Sequence, residues 1–380
     1  MYSYLELDSL HTLMLDYTTK CNALCLRCAR NIDGKYINKN MPIADMPWDI
    51  FEKFFSETIN YIDRIDYCGN FGDPILHPDL IKGIRWLHNI NDPNKRKQLG
   101  RNGHLVIDVA TNGGINNPSW WAELADALTD TGTVTFGIDG LKDTNEIYRR
   151  QVNWKKLMLN VEAFINAGGV ADWQFILFEH NIHQRNEAEE LSKNMGFNSF
   201  FTIDNYDRIS TDTGGSDAET YINHFENIKD GIGAKTKKYE TTIVTNESES
   251  KEKNIKKFEN VMEELYDNDI EQYQQTAPIE CSWWKHKKAG LLFMFNGEIW
   301  PCCHTGGMRY PKEDPWDHPN SSNLYSETHG KYGNEFNNIQ HHSLKEILNH
   351  TWFNNELVKS WENKSRLDLC AVTCASFKES

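Results

Sequence analysis

Cys21, Cys25 and Cys28 stand in a C-x3-C-x2-C spacing directly after an apolar stretch. Three thiolates this close in sequence can turn toward one point. On a [4Fe-4S] cube they claim three irons and leave the fourth without a protein ligand, whereas a structural iron–sulfur site normally takes four cysteines. An open iron accepts a ligand from outside the protein. The bland alternatives are a chance grouping or zinc. Zinc wants four ligands, commonly as paired C-x2-C units, and no fourth ligand lies nearby in the sequence.

The other cysteines are Cys68, Cys281, Cys302, Cys303, Cys370 and Cys374, nine in all. An odd count clustered toward the two ends does not read as a disulfide framework. The net charge of −15 argues against a broad nucleic-acid-binding face. No signal peptide and no long apolar run are present, so a cytoplasmic protein without a membrane partner is expected. A reducing compartment also suits exposed thiolates. At 380 residues the chain has room for a large domain and a smaller one.

Periodicity supplies the elements that must hold the triad. Residues 11–18 read as a strand that delivers the cysteine loop. Residues 47–62 read as a helix with Ile50, Phe51, Phe54, Phe55 and Ile59 on its apolar side. Strands are expected at 65–68, 105–110, 134–138, 173–178 and 200–203, with helices at 77–87, 119–128, 154–167 and 183–195 between them. Six strands alternating with helices predict a parallel α/β domain, whose ligands sit at the C-terminal strand ends. Residues 206–280 change character, rich in charged and small polar side chains, and read as a solvated connector or lid.

Chemistry-bearing residues recur where those strands end. Gly69-Asn70-Phe71-Gly72-Asp73-Pro74 follows the second strand, Thr111-Asn112-Gly113 the third, and Gly137-Ile138-Asp139-Gly140 the fourth, with Tyr148-Arg149 just beyond. Taken with the cysteine triad, this order resembles the radical S-adenosylmethionine (SAM) superfamily, with its "GGEP", "TNG" and "SxDG…YR" stretches. The resemblance implies a partial (β/α)6 barrel and a cluster whose open iron is chelated by SAM. It also implies that Gly69, Gly72 and Asp73 approach the SAM ammonium, and that Thr111, Asn112, Asp139 and Arg149 shape the ribose and carboxylate pocket. Arg149 or Arg150 could fork onto that carboxylate; an ordinary surface ion pair is the alternative. The chain departs from the family pattern at Asp73, where Glu is usual, and at Gly137, where many members have Ser. It departs again at Arg27, where an apolar residue usually packs on adenine. Cys68 ends the second strand and is a weak candidate for a catalytic thiol; a lone cysteine is more often a small buried hydrophobe. His77, His180 and His304 read as structural.

Near the C-terminus, residues 291–295 read as a strand, Asn296-Gly297 as a hairpin turn and residues 297–302 as the return strand. Helices are expected at 343–349 and 353–361. The spacing of Cys281, Gly297 and Cys302, followed by Cys370 and Cys374, resembles the SPASM/Twitch extension of the same superfamily. The implication is one auxiliary [4Fe-4S] cluster on Cys281, Cys302, Cys370 and Cys374, with Cys303 as a spare; a zinc knob on the same four is the alternative.

The expected organisation is therefore a core barrel at 1–205, the connector at 206–280, and a small α+β auxiliary-cluster domain at 281–380. The function implied by the resemblance is reductive cleavage of SAM to a 5′-deoxyadenosyl radical, which takes a hydrogen atom from a peptide, protein or small-molecule substrate. An electron donor such as flavodoxin or ferredoxin would feed the cluster. About ten residues precede the first strand, which leaves no leader-peptide-binding domain ahead of the barrel. The alternatives are a small-molecule (sugar or alcohol) dehydrogenase of the same superfamily and a non-catalytic zinc-binding interaction protein.

Overall fold

The structure, a computed structural model, describes residues 4–204 apart from Arg27, Asp33, Gly69, Asn102 and Glu179, residues 290–310 and 328–362, and single positions that include Cys281, Cys370 and Cys374. The expected connector lies outside the described residues except at Gln272, Thr276 and Ile279; Arg27 and Gly69 lie outside them too.

Strand β1 (Thr12–Leu15) leads into the cysteine loop. A small hairpin, β2 (Asn31–Ile32) and β3 (Tyr36–Ile37), follows. The chain then alternates through α1 (Trp48–Thr58), β4 (Arg64–Tyr67), α2 (Leu80–Ile90), α3 (Pro93–Gln98), β5 (Val106–Thr111), α4 (Pro118–Leu128), β6 (Thr133–Gly137), α5 (Asn145–Tyr148), α6 (Trp154–Asn166), β7 (Val170–Leu177), α7 (Arg185–Met195) and β8 (Ser199–Asp204). Two more strands come later, β9 (Gly290–Phe293) and β10 (Ile299–Trp300). All but β2 and β3 join one eight-stranded sheet in the order β10-β9-β1-β4-β5-β6-β7-β8. The six expected strands pair in parallel and in sequence order, with Leu13 opposite Ile65, Ile65 opposite Ile107 and Val134 opposite Ala171. That is the partial α/β barrel expected from the sequence.

Local chemistry explains the helices. Pro47 enters α1 with φ −60, and Ile50, Phe51, Phe54 and Phe55 form its buried face. Asn117 caps α4 by accepting from the Trp120 N–H at 3.0 Å, with Pro118 in the first turn. Trp121 on that helix packs 5.3 Å from Phe136 and 6.2 Å from Phe164, binding α4 to β6 and α6. Gly196, with φ +87, ends α7.

The C-terminal hairpin forms, with one difference from the sequence reading. Its first strand, β9, also lies parallel beside β1, Leu13 opposite Leu291. All four β9 residues are buried, and Phe54 of α1 covers Phe293 at 4.2 Å between rings. The segment thus extends the barrel sheet at its β1 edge. The return strand is shorter than expected: it stops at Trp300, and a short helix (Cys303–Gly307) follows. The helix expected at 353–361 is a π-helical turn, Trp352–Glu356, continued by α-helix at Leu357–Ser360. Among the described residues, no helix is long and apolar enough to cross a membrane.

Candidate functional site

The cysteine loop leaves β1 at its C-terminal end and is closed by its own neighbours. Arg30 Nε donates to the Thr19 carbonyl at 2.8 Å, and Asn31 Nδ2 donates to the Cys25 carbonyl at 3.1 Å. The Leu24 N–H reaches the Arg150 carbonyl at 3.1 Å, tying the loop to the far side of the barrel mouth. Cys25 is buried, and Cys21 and Cys28 are half-buried. Burial, with Asp73 next, pushes the Cys21 thiol up, and Cys28 and Cys25 are close enough to push it further. The Cys25 thiol is raised to about 11, burial outweighing the pull of Arg149. All three thiols therefore share one small region. Metals bind the thiolate, so the charge of a bound cluster would offset the cost of deprotonating this pocket. Among the described residues no three His, Cys, Asp or Glu side chains converge tightly enough to hold a metal ion. In a cube each thiolate takes its own iron, so its ligands stand farther apart than those of one ion.

The turn after β4 is pressed against this loop. A Cβ on Gly72 would sit 2.1 Å from the Thr18 carbonyl oxygen and 2.8 Å from that of Lys20, so only glycine fits. The Asp73 N–H donates to the Lys20 carbonyl at 2.8 Å. Asp73 itself is buried. Its Oδ2 accepts from the Asn112 N–H at 2.8 Å, Asn112 Nδ2 at 2.6 Å and Thr111 Oγ1 at 3.0 Å. Asn112 Nδ2 also lies 3.0 Å from Asn22 Oδ1 and 3.6 Å from Cys21 Sγ. The stretches after β1, β4 and β5 are thus wired into one hydrogen-bonded group beside the thiols. Burial holds the Asp73 carboxyl up at about 6, against the opposing pull of these donors. Asn22 was missed in the sequence; its only signal was a position between two cysteines.

The stretch after β6 closes the pocket from the other side. Asp139 is fully buried, with Oδ1 accepting from the Ile176 N–H at 2.6 Å and Oδ2 from Arg149 Nε at 2.5 Å. Arg149 also reaches Cys25 and Asp73 electrostatically. A Cβ on Gly137 would stand 2.5 Å from one Arg149 terminal nitrogen and 2.9 Å from Cζ. The guanidinium thus fills the space that a serine side chain at position 137 would need. Arg150, the other candidate, instead donates from Nη1 to the Gly34 carbonyl at 2.9 Å.

Cys68 is half-buried at the end of β4, its thiol raised well above the usual range by burial and then by Asp16 and Cys303. Asp16 is a buried carboxyl that the sequence reading passed over: Oδ1 accepts from the Asn70 N–H at 2.8 Å, and Oδ2 has no hydrogen-bond partner among the described residues. A cleft of about 490 Å³ opens beside the loop, lined in part by Cys21, Asn22, Lys35, Tyr36 and Gln151. His77 is structural, stacked 3.5 Å over Tyr17 with Nε2 3.1 Å from the Met46 carbonyl.

The C-terminal cysteines also come together. Cys281, Cys302, Cys370 and Cys374 all act on the buried Tyr4 hydroxyl, which donates to the Pro301 carbonyl at 2.7 Å. Burial is the largest effect on Cys370 and Cys374, followed by the other cysteines; Cys374 is raised to about 12. Cys303 feels both Cys302 and Asp16, so it stands between this group and the end of β1.

No family model and no curated protein matches the chain. Among solved structures it is similar to polyhistidine-tagged anSMEcpe with bound AdoMet, at 14% identity and a TM-score of 0.51, over 93% of this chain and 80% of that one. It is also similar to native anSMEcpe with bound AdoMet and Kp18Cys peptide, at 15% identity and a TM-score of 0.51, over 98% and 91%. At such identities the likeness is one of fold. The chain shares their fold: a partial α/β barrel that carries three cysteines in the loop after its first strand.

Proposed function

We propose that the chain is a radical SAM enzyme that modifies a peptide or protein. In this reading Cys21, Cys25 and Cys28 hold a [4Fe-4S] cluster, and Cys281, Cys302, Cys370 and Cys374 hold an auxiliary one. The observation that carries the proposal is the hydrogen-bonded run from Cys21 through Asn112 to Asp73, which joins three strand ends beside the thiols. When bound, cluster and SAM supply a 5′-deoxyadenosyl radical able to take a hydrogen atom from an unactivated C–H bond.

The chain's own residues would bind and orient. Among the described residues Asp73 Oδ1 takes only the Ile75 N–H at 3.3 Å, so it retains capacity for an ammonium group. Gly72, with Gly69 before it, would let the backbone approach that group. Arg149 gives Nε to Asp139, and its terminal nitrogens would fork onto a carboxylate. Thr111 and Asn112 hold Asp73 in place. Radical chemistry belongs to the cofactor, and the protein contributes position and exclusion of competing reactions.

The peptide reading is supported by the fold shared with a protein that holds a peptide together with AdoMet. A one-electron donor such as flavodoxin or ferredoxin is the expected partner, and the nine free cysteines support a cytoplasmic setting. The test is anaerobic incubation of the iron-loaded protein with SAM and dithionite. Formation of 5′-deoxyadenosine and methionine is expected. A fully iron-loaded protein that leaves SAM intact contradicts the proposal, and zinc in place of iron turns the chain into a binding module.

A further inference from the structure

We propose that the β2–β3 hairpin and the turn after it form the docking surface for the electron donor, a small acidic one-electron carrier protein. The inference rests on the functional reading above and names where its electron enters.

The stretch is built onto the cysteine loop. The Asn31 N–H donates to the Cys28 carbonyl at 2.9 Å, and Asn31 Nδ2 donates to the Cys25 carbonyl at 3.1 Å. The Asn38 N–H returns to the Arg30 carbonyl at 2.8 Å. Between the two strands a Cβ on Gly34, whose φ is +59, would stand 3.0 Å from the Leu24 carbonyl oxygen and 3.0 Å from Leu26 Cδ2. The hairpin therefore lies directly against the loop that carries the triad. Beyond it the turn is fastened at Thr19, whose Oγ1 donates to the Pro42 carbonyl at 2.7 Å and accepts from the Ala44 N–H at 2.8 Å.

What this stretch shows to solvent differs from the rest of the chain. Tyr36 is 70% exposed, Ile43 50% and Ile37 41%, three of the six large apolar side chains that stand exposed among the described residues. Lys35 and Lys39 are exposed beside them. Residues 34–44 hold no Asp or Glu, in a chain with a net charge of −15. Asp45, just past the turn, is held by Lys20 Nζ at 2.5 Å. An apolar centre with a charged rim is the make-up of a transient interface. An acidic partner is repelled by the chain as a whole and drawn to its lysine-bearing stretch, which steers the encounter. The cleft lined in part by Cys21, Lys35, Tyr36 and Ile37 joins this surface to the triad. A donor seated here stands one hairpin away from the thiols. One electron leaves the donor's reduced centre and reduces the cluster, and no bond forms or breaks.

The experiment measures docking and reduction separately on the reconstituted full-length protein. Oxidised flavodoxin and oxidised ferredoxin are the probes for calorimetry at low ionic strength. At least one is expected to bind, with an affinity that falls as salt is added. The double variant Lys35→Glu, Lys39→Glu should weaken that binding about tenfold or more and slow reduction by the reduced probe, while dithionite still reduces the cluster as in wild type. Ile43→Ser, which changes no charge, should weaken binding as well. Wild-type affinity in both variants, or no binding of either probe, overturns the inference. Without donor binding, lysine-dependent capture of phosphatidylglycerol vesicles gives the face to a membrane, and self-association abolished by Ile43→Ser gives it to a second copy; either result overturns it. If dithionite produces no reduced cluster in the wild-type protein, the functional reading itself has failed.

Discussion

Asn112 gives both its backbone N–H and its side-chain amide to one oxygen of Asp73, at 2.8 and 2.6 Å. The two residues belong to different strand ends, and the same amide lies within 3.6 Å of Cys21 Sγ. The pair is therefore the point at which the cysteine loop, the turn after β4 and the end of β5 are held in mutual register. Asn112→Ala leaves a buried carboxylate short of a donor, which costs about 1–3 kcal/mol. Denaturant melts should show that loss in the protein without cofactors, and SAM affinity should fall with it. An unchanged melt would mean that the pair is not the junction described.

The Asp73 carboxyl sits at about 6 because it is buried. If it faces the SAM ammonium, the charged form is the one that binds. Affinity for SAM is then expected to weaken as the pH falls through about 6 and to level off above it. Asp73→Asn should bind weakly and lose that dependence. Calorimetry between pH 5 and 8 measures both, and an identical pH profile in the variant would remove Asp73 from the binding site.

Gly72 allows the turn after β4 to touch the backbone that precedes Cys21. Gly72→Ala places a methyl group 2.1 Å from the Thr18 carbonyl oxygen, where the obstacle is main chain and cannot rotate away. Overpacking of this kind costs about 1–3 kcal/mol, occasionally more. The expected result is a lower melting temperature together with reduced iron loading at the triad. Normal stability and normal iron would show that the two segments do not meet this closely.

Asp16 offers a pH test of the fold that is independent of any cofactor. Burial raises its carboxyl to about 7, so the folded state favours the protonated form. Its favourable contribution to stability is complete below about pH 4 and is lost as the pH rises through about 7. Asp16→Asn removes that dependence. Relative to wild type, the variant should gain stability between pH 5 and pH 8, by an amount on the order of 3 kcal/mol at most. A gap between the two proteins that does not change with pH would contradict the burial described.

Much of this arrangement was legible in the chain. The six parallel strands follow from apolar runs separated by helical periodicity, and β1 and β4 through β8 fall within a few residues of their expected places; the β2–β3 hairpin was not expected. The strand-end residues Asp73, Asn112, Asp139 and Arg149 were singled out because their stretches resemble those of a known family, and the fold brings them to neighbouring strand ends. The parallel pairing of β9 with β1 was not read. A hairpin strand and an added barrel strand share one pattern locally, and the pairing partner lies some 280 residues away in sequence. The signal was the unbroken apolar run from Leu291 to Phe293, which alternation on a one-faced hairpin would not produce. Asp16 was passed over because a single aspartate inside an apolar stretch looks like the solvent side of a strand. Gly137 was visible only as a departure from the family; the Arg149 side chain that fills its place comes from twelve positions later and needs the fold to be seen.

The most direct test of the account is iron and acid-labile sulfide per chain, measured in wild type and in Cys25→Ala after anaerobic reconstitution. Two cubes predict roughly eight irons per wild-type chain and roughly four in the variant, with SAM cleavage lost. Equal iron in the two proteins, or zinc with almost no iron in either, would contradict the assignment of Cys21, Cys25 and Cys28 to a catalytic cluster.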